Sequence, residues 1–356
     1  MNIISDDCHV YGTTDVVADL RALLSGRDPK QTFLLTDKGS AEHCMTALSG
    51  ASDMIPESNM VTIDAGDDAK DYRTALRVWE FLSSHGATRK ALLINLGGGM
   101  PCDLGGFCAA TFKRGIEFIN IPTTLLSQVD ASLGGKTGMN LGSLKNEIGV
   151  FAKASHVLIC PDFLKSLDKT NLLSGFAEMI KHALIHDESE LDALTGFDFD
   201  YADFASLHKM VERSIMIKDF FVKADPKEQG LRKALNFGHT FGHAFETFSM
   251  RHGHPILHGY AVAYGMACEL SLSAKRAGLP AERAEAIIKR IGELYGRPKA
   301  SLADADELVE LMKHDKKNDS KGINFTLLPK VGEVIVNQIA TPGEIKQILG
   351  SYLSEE

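Results

Sequence analysis

Histidines are concentrated in one short stretch of the chain. The sequence contains 13 histidines, and five of them fall within 20 residues: His239, His243, His252, His254 and His258. His239 and His243 are four residues apart, so on a helix they share one face, a spacing compatible with zinc binding. Two histidines plus a carboxylate form a catalytic zinc site with an open position, and Glu178 is a candidate carboxylate. The residue after His239 is not the glutamate that the H-E-x-x-H motif of metalloproteases requires. An ordinary core or surface position remains the alternative for any single histidine, and His252 and His254 stay unassigned.

One helical segment presents a carboxylate beside an amine. Glu178 and Lys181 are three residues apart within the stretch 174–182, so their side chains meet on one helix face. A surface ion pair is the commoner meaning of this spacing. Apolar neighbours on both sides of Glu178 argue instead for a buried carboxylate with a function. Both interpretations remain open.

A run of three glycines follows an apolar segment. Gly97, Gly98 and Gly99 come directly after residues 92–96, so they would join a strand to a helix that Asp103 is placed to cap. Residues without a Cβ let backbone N–H groups approach a pyrophosphate at a helix N-terminus. The spacing differs from the Rossmann G-x-G-x-x-G motif. A plain glycine-rich turn and a dinucleotide site are therefore both compatible with it.

A second glycine-rich segment carries basic side chains. The stretch Gly134-Gly135-Lys136-Thr137-Gly138 is typical of a phosphate-binding turn, but it lacks the four-residue spacer of the P-loop. This disfavours an ATPase. Lys145 and Asn146 add a cation and an amide nearby. A solvated loop with ordinary surface lysines is the alternative.

The first half of the chain alternates short apolar runs with helical patterns, which is typical of β-α-β units and a mostly parallel sheet covered on both faces. We predict strands over Thr32–Thr36, Met60–Ile63, Ala91–Leu96, Phe118–Ile121 and Val157–Cys160. We predict helices over Thr13–Leu24, Lys70–His85 and Gly105–Lys113.

Beyond about Leu167 the pattern becomes helical. We predict helices over residues 172–186, 202–223, 232–248, 258–277, 280–295 and 303–313, with only 323–328 extended. The prediction is therefore an α/β N-terminal domain over residues 1–169 and an all-α C-terminal domain over residues 170–356.

Composition excludes several classes of protein. At 356 residues the chain is long enough for two domains. With 38 Lys and Arg against 47 Asp and Glu, its formal charge is -9, which disfavours a dedicated nucleic-acid binder. No run is long and apolar enough for a membrane span, and the N-terminus lacks signal-peptide features, so we expect a cytoplasmic protein. The six scattered cysteines predict reduced thiols.

The ordered set of motifs resembles the 3-dehydroquinate synthase family of sugar phosphate cyclases. The resemblance covers roughly residues 60–330 and is carried by Gly97–Asp103, Pro122–Leu126 with Gln128–Asp130, Gly134–Gly138, Lys145–Asn146, Ala177–Lys181, Asn236–His243 and Leu257–Gly259. Single fragments are weak signals. The whole set in this order is specific.

The resemblance implies a Rossmann-like domain, a helical domain and an active site in the cleft between them. It implies a lyase of the shikimate pathway, which leads to chorismate and the aromatic amino acids. Such an enzyme converts 3-deoxy-D-arabino-heptulosonate 7-phosphate to 3-dehydroquinate and phosphate. The steps are transient oxidation by NAD, phosphate elimination, reduction, ring opening and aldol closure. It further implies that Glu178, His239 and His258 bind one zinc or cobalt ion. His243 then becomes a phosphate contact.

The resemblance also assigns residues to the substrate and to NAD. The substrate, a phosphorylated sugar acid, would be bound by Arg114, Asp130, Lys136, Asn146, Lys181, Lys218, Arg232, Asn236, His243 and Lys316 or its neighbour Lys317. Arg114 would come from the partner subunit of a homodimer. NAD would be bound by Asp67, Lys70, Gly99, Met100, Pro101, Cys102, Asp103, Thr123, Thr124, Lys136, Lys145, Phe163, Leu164, Lys165 and Ser166.

Departures from the family pattern are few. Asp67 stands where the family usually has Glu, Pro101-Cys102 is an unusual filling of the glycine loop, and the interval from His239 to His258 is slightly long. The alternatives are another sugar phosphate cyclase, a metal-dependent alcohol dehydrogenase that releases NADH, and a non-catalytic binding protein on the same scaffold.

Overall fold

The computed structural model describes residues 2–5, 8–142, 144–199, 204–313 and 322–354. The chain divides into two compact units. Of the described residues, the first unit contains those up to Asp168 and Phe204–Ile215. The second unit contains residues 169–199 and those from Met216 on. Among the described residues, no helix combines the length and apolarity needed to cross a bilayer.

A seven-stranded sheet forms the centre of the first unit. Its strands lie in the order β1, β2, β9, β6, β5, β3, β4. Only β1 and β2 pair in antiparallel fashion, and the other neighbours are parallel. The strands of this unit are β1 Asn2–Ser5, β2 Cys8–Gly12, β3 Thr32–Asp37, β4 Met60–Ile63, β5 Leu92–Gly97, β6 Glu117–Pro122, β7 Lys136–Leu141, β8 Leu144–Phe151 and β9 His156–Ile159.

Helices flank this sheet, and every residue of β3 and β5 is buried. The helices are α1 Val16–Leu24, α2 Lys38–Cys44, α3 Tyr72–Ser84 and α4 Gly99–Thr111. Aspartates cap three of them: Asp15, Asp37 and Asp71 each accept a hydrogen bond from a backbone N–H of the first turn. Burial on both faces explains why the strands are nearly continuous apolar runs. The predicted parallel sheet with flanking helices is confirmed.

Two elements beside this sheet have no counterpart in the sequence-based prediction. Strands β7 and β8 form a separate antiparallel hairpin. Residues Ser127–Ala131 form a short π-helix, a rare element that occurs often at functional sites. It begins five residues after the end of β6 and contains Asp130.

Helices dominate the second unit. They are α5 Lys169–Leu184, α6 Glu188–Thr195, α7 Phe204–Ala224, of which the part from Met216 belongs here, α8 His239–Arg251, α9 His258–Arg276, α10 Ala281–Tyr295, α11 Ala305–Lys313 and α12 Pro342–Ser354. Helices α6 and α12 were not predicted from the sequence. The predicted helix over 232–248 is interrupted, because Leu231–Asn236 is a 3-10 helix and Gly238 has a left-handed φ of 81°.

The prediction of an all-helical second half is wrong. This half also contains an antiparallel hairpin of two strands, β10 Ile323–Lys330 and β11 Glu333–Ala340. The hairpin turns at Gly332, which has a φ of 83°. Only β10 is mostly buried, whereas β11 contributes one fully buried residue, Ala340. An exposed strand needs no strong apolar pattern, which is why β11 was missed.

All six cysteines are free thiols, and five of them are buried. Burial raises the pKa of the Cys44 thiol to about 11. Buried thiols with raised pKa values are unreactive near neutral pH, which agrees with the predicted structural role.

Candidate active site

Three potential metal ligands converge in the second unit, one from each of three helices. The side chains are Glu178 of α5, His239 of α8 and His258 of α9, and their ligand atoms all lie within 4.8 Å of one another. The Glu178 Oε1 atom is 3.6 Å from His239 Nε2 and 3.5 Å from His258 Nε2. Glu178 is fully buried. Two imidazoles and one carboxylate facing a common point are a donor set that suits a divalent transition metal.

His243 lies beside this cluster but outside the ligand set. Its ring centroid is 5.4 Å from that of His239 and 6.1 Å from that of His258. The spacing of His239 and His243 on one helix favoured this pair as ligands. In the structure His258, from the next helix, takes the position that the spacing had suggested for His243.

Close helix packing holds the three ligands together. A Cβ on Gly259, the residue after His258, would lie 1.9 Å from the Ser174 carbonyl oxygen of α5. The Gly259 N–H also donates to Ser174 Oγ at 3.1 Å. A Cβ on Gly265 would lie 1.8 Å from the carbonyl oxygen of Gly238, which precedes His239. Only glycine permits helix α9 to approach both of its neighbours this closely.

Each histidine ring has a second contact on its Nδ1 side. The Nδ1 atom of His239 is 3.1 Å from the Phe237 carbonyl oxygen. The Nδ1 atom of His258 is 3.5 Å from Glu246 Oε2. Burial lowers the pKa of His258, but Glu178 and Glu246 more than offset this effect and raise the pKa to about 10. Both rings thus direct Nε2 toward Glu178.

Glu246 was missed in the sequence-based list of site residues. It lies seven residues after His239 on α8, two helical turns away, so it shares a face with that histidine. A buried glutamate on the face of a ligand histidine was the available signal. Glu246 is 4% exposed.

The second unit also buries three cationic side chains. Lys181, Lys218 and Arg232 are 1%, 6% and 2% exposed. Lys181 forms an ion pair with Glu178, and both side chains are buried. The pair is therefore not the surface ion pair that the spacing also allowed. Burying cations is costly unless carboxylates or an anionic ligand compensate them. For Lys181 the compensating carboxylate is that of Glu178.

Arg232 and Asn236 lie in the 3-10 helix Leu231–Asn236, and both contact the segment that precedes it. The Nη1 atom of Arg232 donates to the Pro226 carbonyl oxygen at 2.8 Å, and its backbone N–H donates to Asp225 Oδ2 at 3.2 Å. Asn236 Nδ2 donates to Glu228 Oε1 at 2.9 Å. Hydrogen bonds from backbone N–H groups lower the pKa of the Asp225 carboxyl below its usual range, and the bond from Gly230 has the largest effect. Lys316 and Lys317 lie outside the described residues.

The glycine run of the first unit opens helix α4. Gly98 precedes the first helical residue, and no side chain caps this end. The expectation that Asp103 caps the helix is wrong, because the helix begins at Gly99 and Asp103 lies inside it. The first-turn N–H groups point out of the helix end, where the helix dipole favours an anion such as a pyrophosphate.

A polar network links the loop before α3 to the β7–β8 hairpin. Lys70 Nζ lies 2.5 Å from Asp103 Oδ2 and 2.5 Å from Asn146 Oδ1. Lys145 Nζ forms an ion pair of 2.7 Å with Asp67 Oδ2. Asn146 has a φ of 51°, an uncommon backbone conformation that is often found at functional sites. The structure thus brings together five of the residues that the resemblance assigned to NAD or substrate.

Asn140, which the sequence-based list lacks, joins this network at three points. Its backbone N–H donates to the Lys70 carbonyl oxygen at 2.7 Å. Its Nδ2 donates to the Asp67 carbonyl oxygen at 3.0 Å, and its Oδ1 accepts from the Asn146 backbone N–H at 2.9 Å. Asn140 therefore links the segment Asp67–Lys70 to strand β8.

Other predicted residues of the first unit lie around the ends of the parallel strands. Thr123 follows β6, is buried, and its Oγ1 lies 3.3 Å from Ser40 Oγ. Phe163, Lys165 and Ser166 line a cavity of about 510 Å³. His43 lines the same cavity and was not predicted. Carboxyl ends of parallel strands are the usual place for nucleotide sites in α/β folds.

The remaining predicted residues of the first unit differ in exposure. Leu164 and Pro101 are buried, as is Cys102. Gly99, Met100, Thr124 and Asp130 are half-buried, and Arg114 and Lys136 are exposed.

Comparisons with known proteins agree with this geometry. The family model described as 3-dehydroquinate synthase N-terminal matches residues 60–174, and the C-terminal model matches residues 175–318. A 3-dehydroquinate synthase from Parabacteroides distasonis is 46% identical over 338 residues, 95% of this chain and 96% of its own. One from Listeria monocytogenes serotype 4b is 39% identical over 308 residues, 85% of this chain and 83% of its own.

Among solved structures, a 2-epi-5-epi-valiolone synthase from Streptomyces hygroscopicus has a TM-score of 0.87 and 25% identity, covering 99% of this chain and 98% of its own. That structure has NAD⁺ and Zn²⁺ bound. A 2-deoxy-scyllo-inosose synthase with NAD⁺ and Co²⁺ has a TM-score of 0.85 at 22% identity, covers 99% of both chains and shows the same fold. Because the two family models together match most of the chain, and the first relative is 46% identical over nearly its whole length, the chain belongs to the 3-dehydroquinate synthase family.

Proposed function

We propose that the chain is an active lyase that converts 3-deoxy-D-arabino-heptulosonate 7-phosphate to 3-dehydroquinate and phosphate, using NAD and one divalent metal. The observation that carries the proposal is the convergence of Glu178, His239 and His258 next to a buried lysine, Lys181. The 46% identity to a 3-dehydroquinate synthase supports it over 95% of the chain. The cytoplasmic location expected from the sequence stays a prediction.

The residues present fit a divalent transition metal. One carboxylate oxygen and two imidazole nitrogens face one another within 4.8 Å, and Glu178 is fully buried. We propose zinc or cobalt, the ions bound by the two neighbouring cyclases. When bound, such an ion acts as a Lewis acid that polarises a substrate hydroxyl. Glu178 supplies the negative charge that compensates the cation, and Lys181 limits how far that carboxylate can turn.

NAD binding is proposed for the first unit. The uncapped N-terminus of α4 suits the pyrophosphate, since its N–H groups and helix dipole favour an anion. Lys70 and Asp103 offer a cation and an acceptor side by side. The cavity at Phe163 offers room beside the sheet. When bound, NAD supplies a hydride acceptor and later the hydride donor, so it is regenerated within one turnover.

Substrate binding is proposed for the buried cations of the second unit. The planar guanidinium of Arg232 suits bidentate contact with the substrate carboxylate. Lys181 and Lys218 suit its hydroxyl groups and negative charge. Asn236 and His243 remain proposed phosphate contacts, as do Lys136, Asn146 and Lys316. Asp130 remains a proposed hydroxyl contact. Holding a dianionic phosphate in a fixed place accelerates its departure through positioning.

A homodimer in which Arg114 serves the partner subunit is also proposed. Arg114 is exposed and has a φ of 69°. The next residue, Gly115, lines a groove of about 400 Å³ together with Phe151 of β8, whose side chain is 61% exposed. In the described part of the chain β8 pairs with β7 alone. An unpaired strand edge with apolar side chains is a ready surface for a second copy. Phe151→Glu should lower the mass in light scattering, whereas Leu302→Glu, at another exposed apolar side chain, should not.

The central test measures phosphate release from 3-deoxy-D-arabino-heptulosonate 7-phosphate. Activity should require NAD, disappear with a chelator and return with added Zn²⁺ or Co²⁺. Glu178→Gln should abolish it, whereas Glu285→Gln, at an exposed glutamate of α10, should leave it unchanged. A Glu178→Gln enzyme with full activity would refute the site assignment.

The same assay separates the alternatives. Phosphate release from sedoheptulose 7-phosphate or glucose 6-phosphate, with none from the heptulosonate, would identify another sugar phosphate cyclase. Steady accumulation of NADH absorbance would identify a dehydrogenase.

A further inference from the structure

Two buried carboxylates lie behind the ligand histidines, outside the ligand set itself. Glu246 is on α8 and is 4% exposed, and Glu269 is on α9 and is 0% exposed. Burying a carboxylate costs free energy unless hydrogen bonds or charged partners compensate it, so the contacts of both glutamates are informative. Each glutamate reaches from its own helix to the neighbouring helix that carries a ligand.

Glu246 reaches from α8 to the histidine of α9. Its Oε2 lies 3.5 Å from His258 Nδ1, while Nε2 of the same ring lies 3.5 Å from Glu178 Oε1. A carboxylate beside Nδ1 leaves Nε2 as the ring atom that faces Glu178. It also fixes the plane of the ring. Glu246 thus fixes the direction of a ligand on the other helix.

Glu269 reaches from α9 to the first turn of α8. Its Oε2 accepts from the Gly238 N–H at 2.8 Å, and its Oε1 accepts from the Thr240 N–H at 3.3 Å. These two donors flank His239. Gly238 has no side chain to cap helix α8, so Glu269 supplies the cap from α9. The dipole of α8 stabilises the negative charge of Glu269 at this N-terminus.

The cap helps to orient the ring of His239, because it holds the backbone on which that ring depends. His239 Nδ1 lies 3.1 Å from the Phe237 carbonyl oxygen, so the ring takes its direction from the chain at 237–240. Glu269 holds this same stretch from both sides of His239. Gly265, four residues before Glu269 on the same helix, allows the close approach that brings the carboxylate within reach.

We propose that Glu246 and Glu269 form a reciprocal brace, in which each ligand helix positions the histidine of the other. They are positioning residues: neither belongs to the set of proposed ligands. The inference rests on the metal site in the proposed function and deepens it. It explains why α8 and α9 must be held in one register for His239 and His258 to face Glu178 together.

The test measures Co²⁺ affinity and the Co²⁺ absorption spectrum, by titration against a competing chromophoric chelator. Glu246→Leu and Glu269→Leu should each weaken Co²⁺ binding by about ten- to a hundredfold and alter the ligand-field bands, as expected for partners of metal ligands. Glu246→Gln should recover most of the affinity, because its amide oxygen still accepts from Nδ1. Glu285→Leu, on the exposed face of α10, serves as the matched control and should bind as the parent does.

The outcomes separate the brace from the metal site. If the leucine variants fold and bind Co²⁺ with the affinity and spectrum of the parent, the brace is refuted and the metal site stands. If a leucine variant fails to fold, Glu269→Gln decides, since it keeps one of two acceptor oxygens and should weaken binding about three- to tenfold; unchanged affinity refutes the brace. A parent protein that binds no Co²⁺ overturns the proposed metal site and the brace with it.

Discussion

Substituting Gly265 with alanine tests whether helix packing determines the geometry of the candidate metal site. Gly265 lies on α9 against the start of α8. An added Cβ would lie 1.8 Å from the Gly238 carbonyl oxygen and 2.6 Å from the Gly242 nitrogen. Both are backbone atoms, so no side chain can rotate away to make room.

The size of the effect follows from these distances. Real Cβ atoms essentially never lie closer than 3.0 Å to such a neighbour, so α8 and α9 must separate by at least 1.2 Å, the difference between 3.0 and 1.8 Å. Metal–ligand distances tolerate about 0.2 Å. Overpacking costs about 3 kcal/mol at the upper end of its usual range. Replacing a helical glycine with alanine returns about 1 kcal/mol. The net loss of unfolding free energy should be about 2 kcal/mol.

The assay compares Gly265→Ala with Gly292→Ala. A Cβ on Gly292 of α10 meets no atom within 4 Å, so that variant should gain about 1 kcal/mol and keep its Co²⁺ affinity. Gly265→Ala should unfold at lower temperature without metal and bind Co²⁺ at least tenfold more weakly. If Gly265→Ala instead melts higher and binds Co²⁺ normally, helix approach at this point does not determine the site.

Three further outcomes are expected. Lys70→Met should weaken NADH binding about ten- to a hundredfold, because a buried charged hydrogen-bonding group is lost; energy transfer from Trp79, the single tryptophan, reports the affinity. Asn140→Leu should weaken NADH binding about tenfold while leaving Co²⁺ affinity unchanged, because two side-chain hydrogen bonds are lost; equal losses of both would indicate general misfolding. Burial and the nearby His9 lower the pKa of His156 in the folded protein. Below pH 6.5 this histidine is therefore protonated more fully in the unfolded chain than in the folded one, and protons favour unfolding. Stability to urea should therefore fall as the pH drops from 7 to 5, and His156→Gln should reduce that slope.

Much of the fold was predictable because local patterns carried it. The five predicted strands coincide with β3, β4, β5, β6 and β9 to within a residue or so, since each is a short, mostly apolar run. The β7–β8 hairpin was not predicted. Strand β8 is largely exposed, so no alternation of buried side chains reveals it.

Local patterns predicted less well what a residue does within its element. Asp103 resembled a helix cap next to the glycine run, but the helix starts at Gly99, before it. In the structure Asp103 contacts Lys70, 33 residues earlier in the chain. Glu246 and Asn140 were missed for a related reason, because their contacts join different elements of the fold.

The sequence by itself determined the family, the parallel sheet and the residue types available for chemistry. The tertiary structure decided which of those residues meet. Spacing along a single helix favoured His239 with His243, since residues four apart share a face. Only the packing of α8 and α9 at Gly265, and of α9 and α5 at Gly259, places His258 beside Glu178. A ligand set drawn from three helices depends on how closely their backbones approach, and that distance is a property of the folded chain.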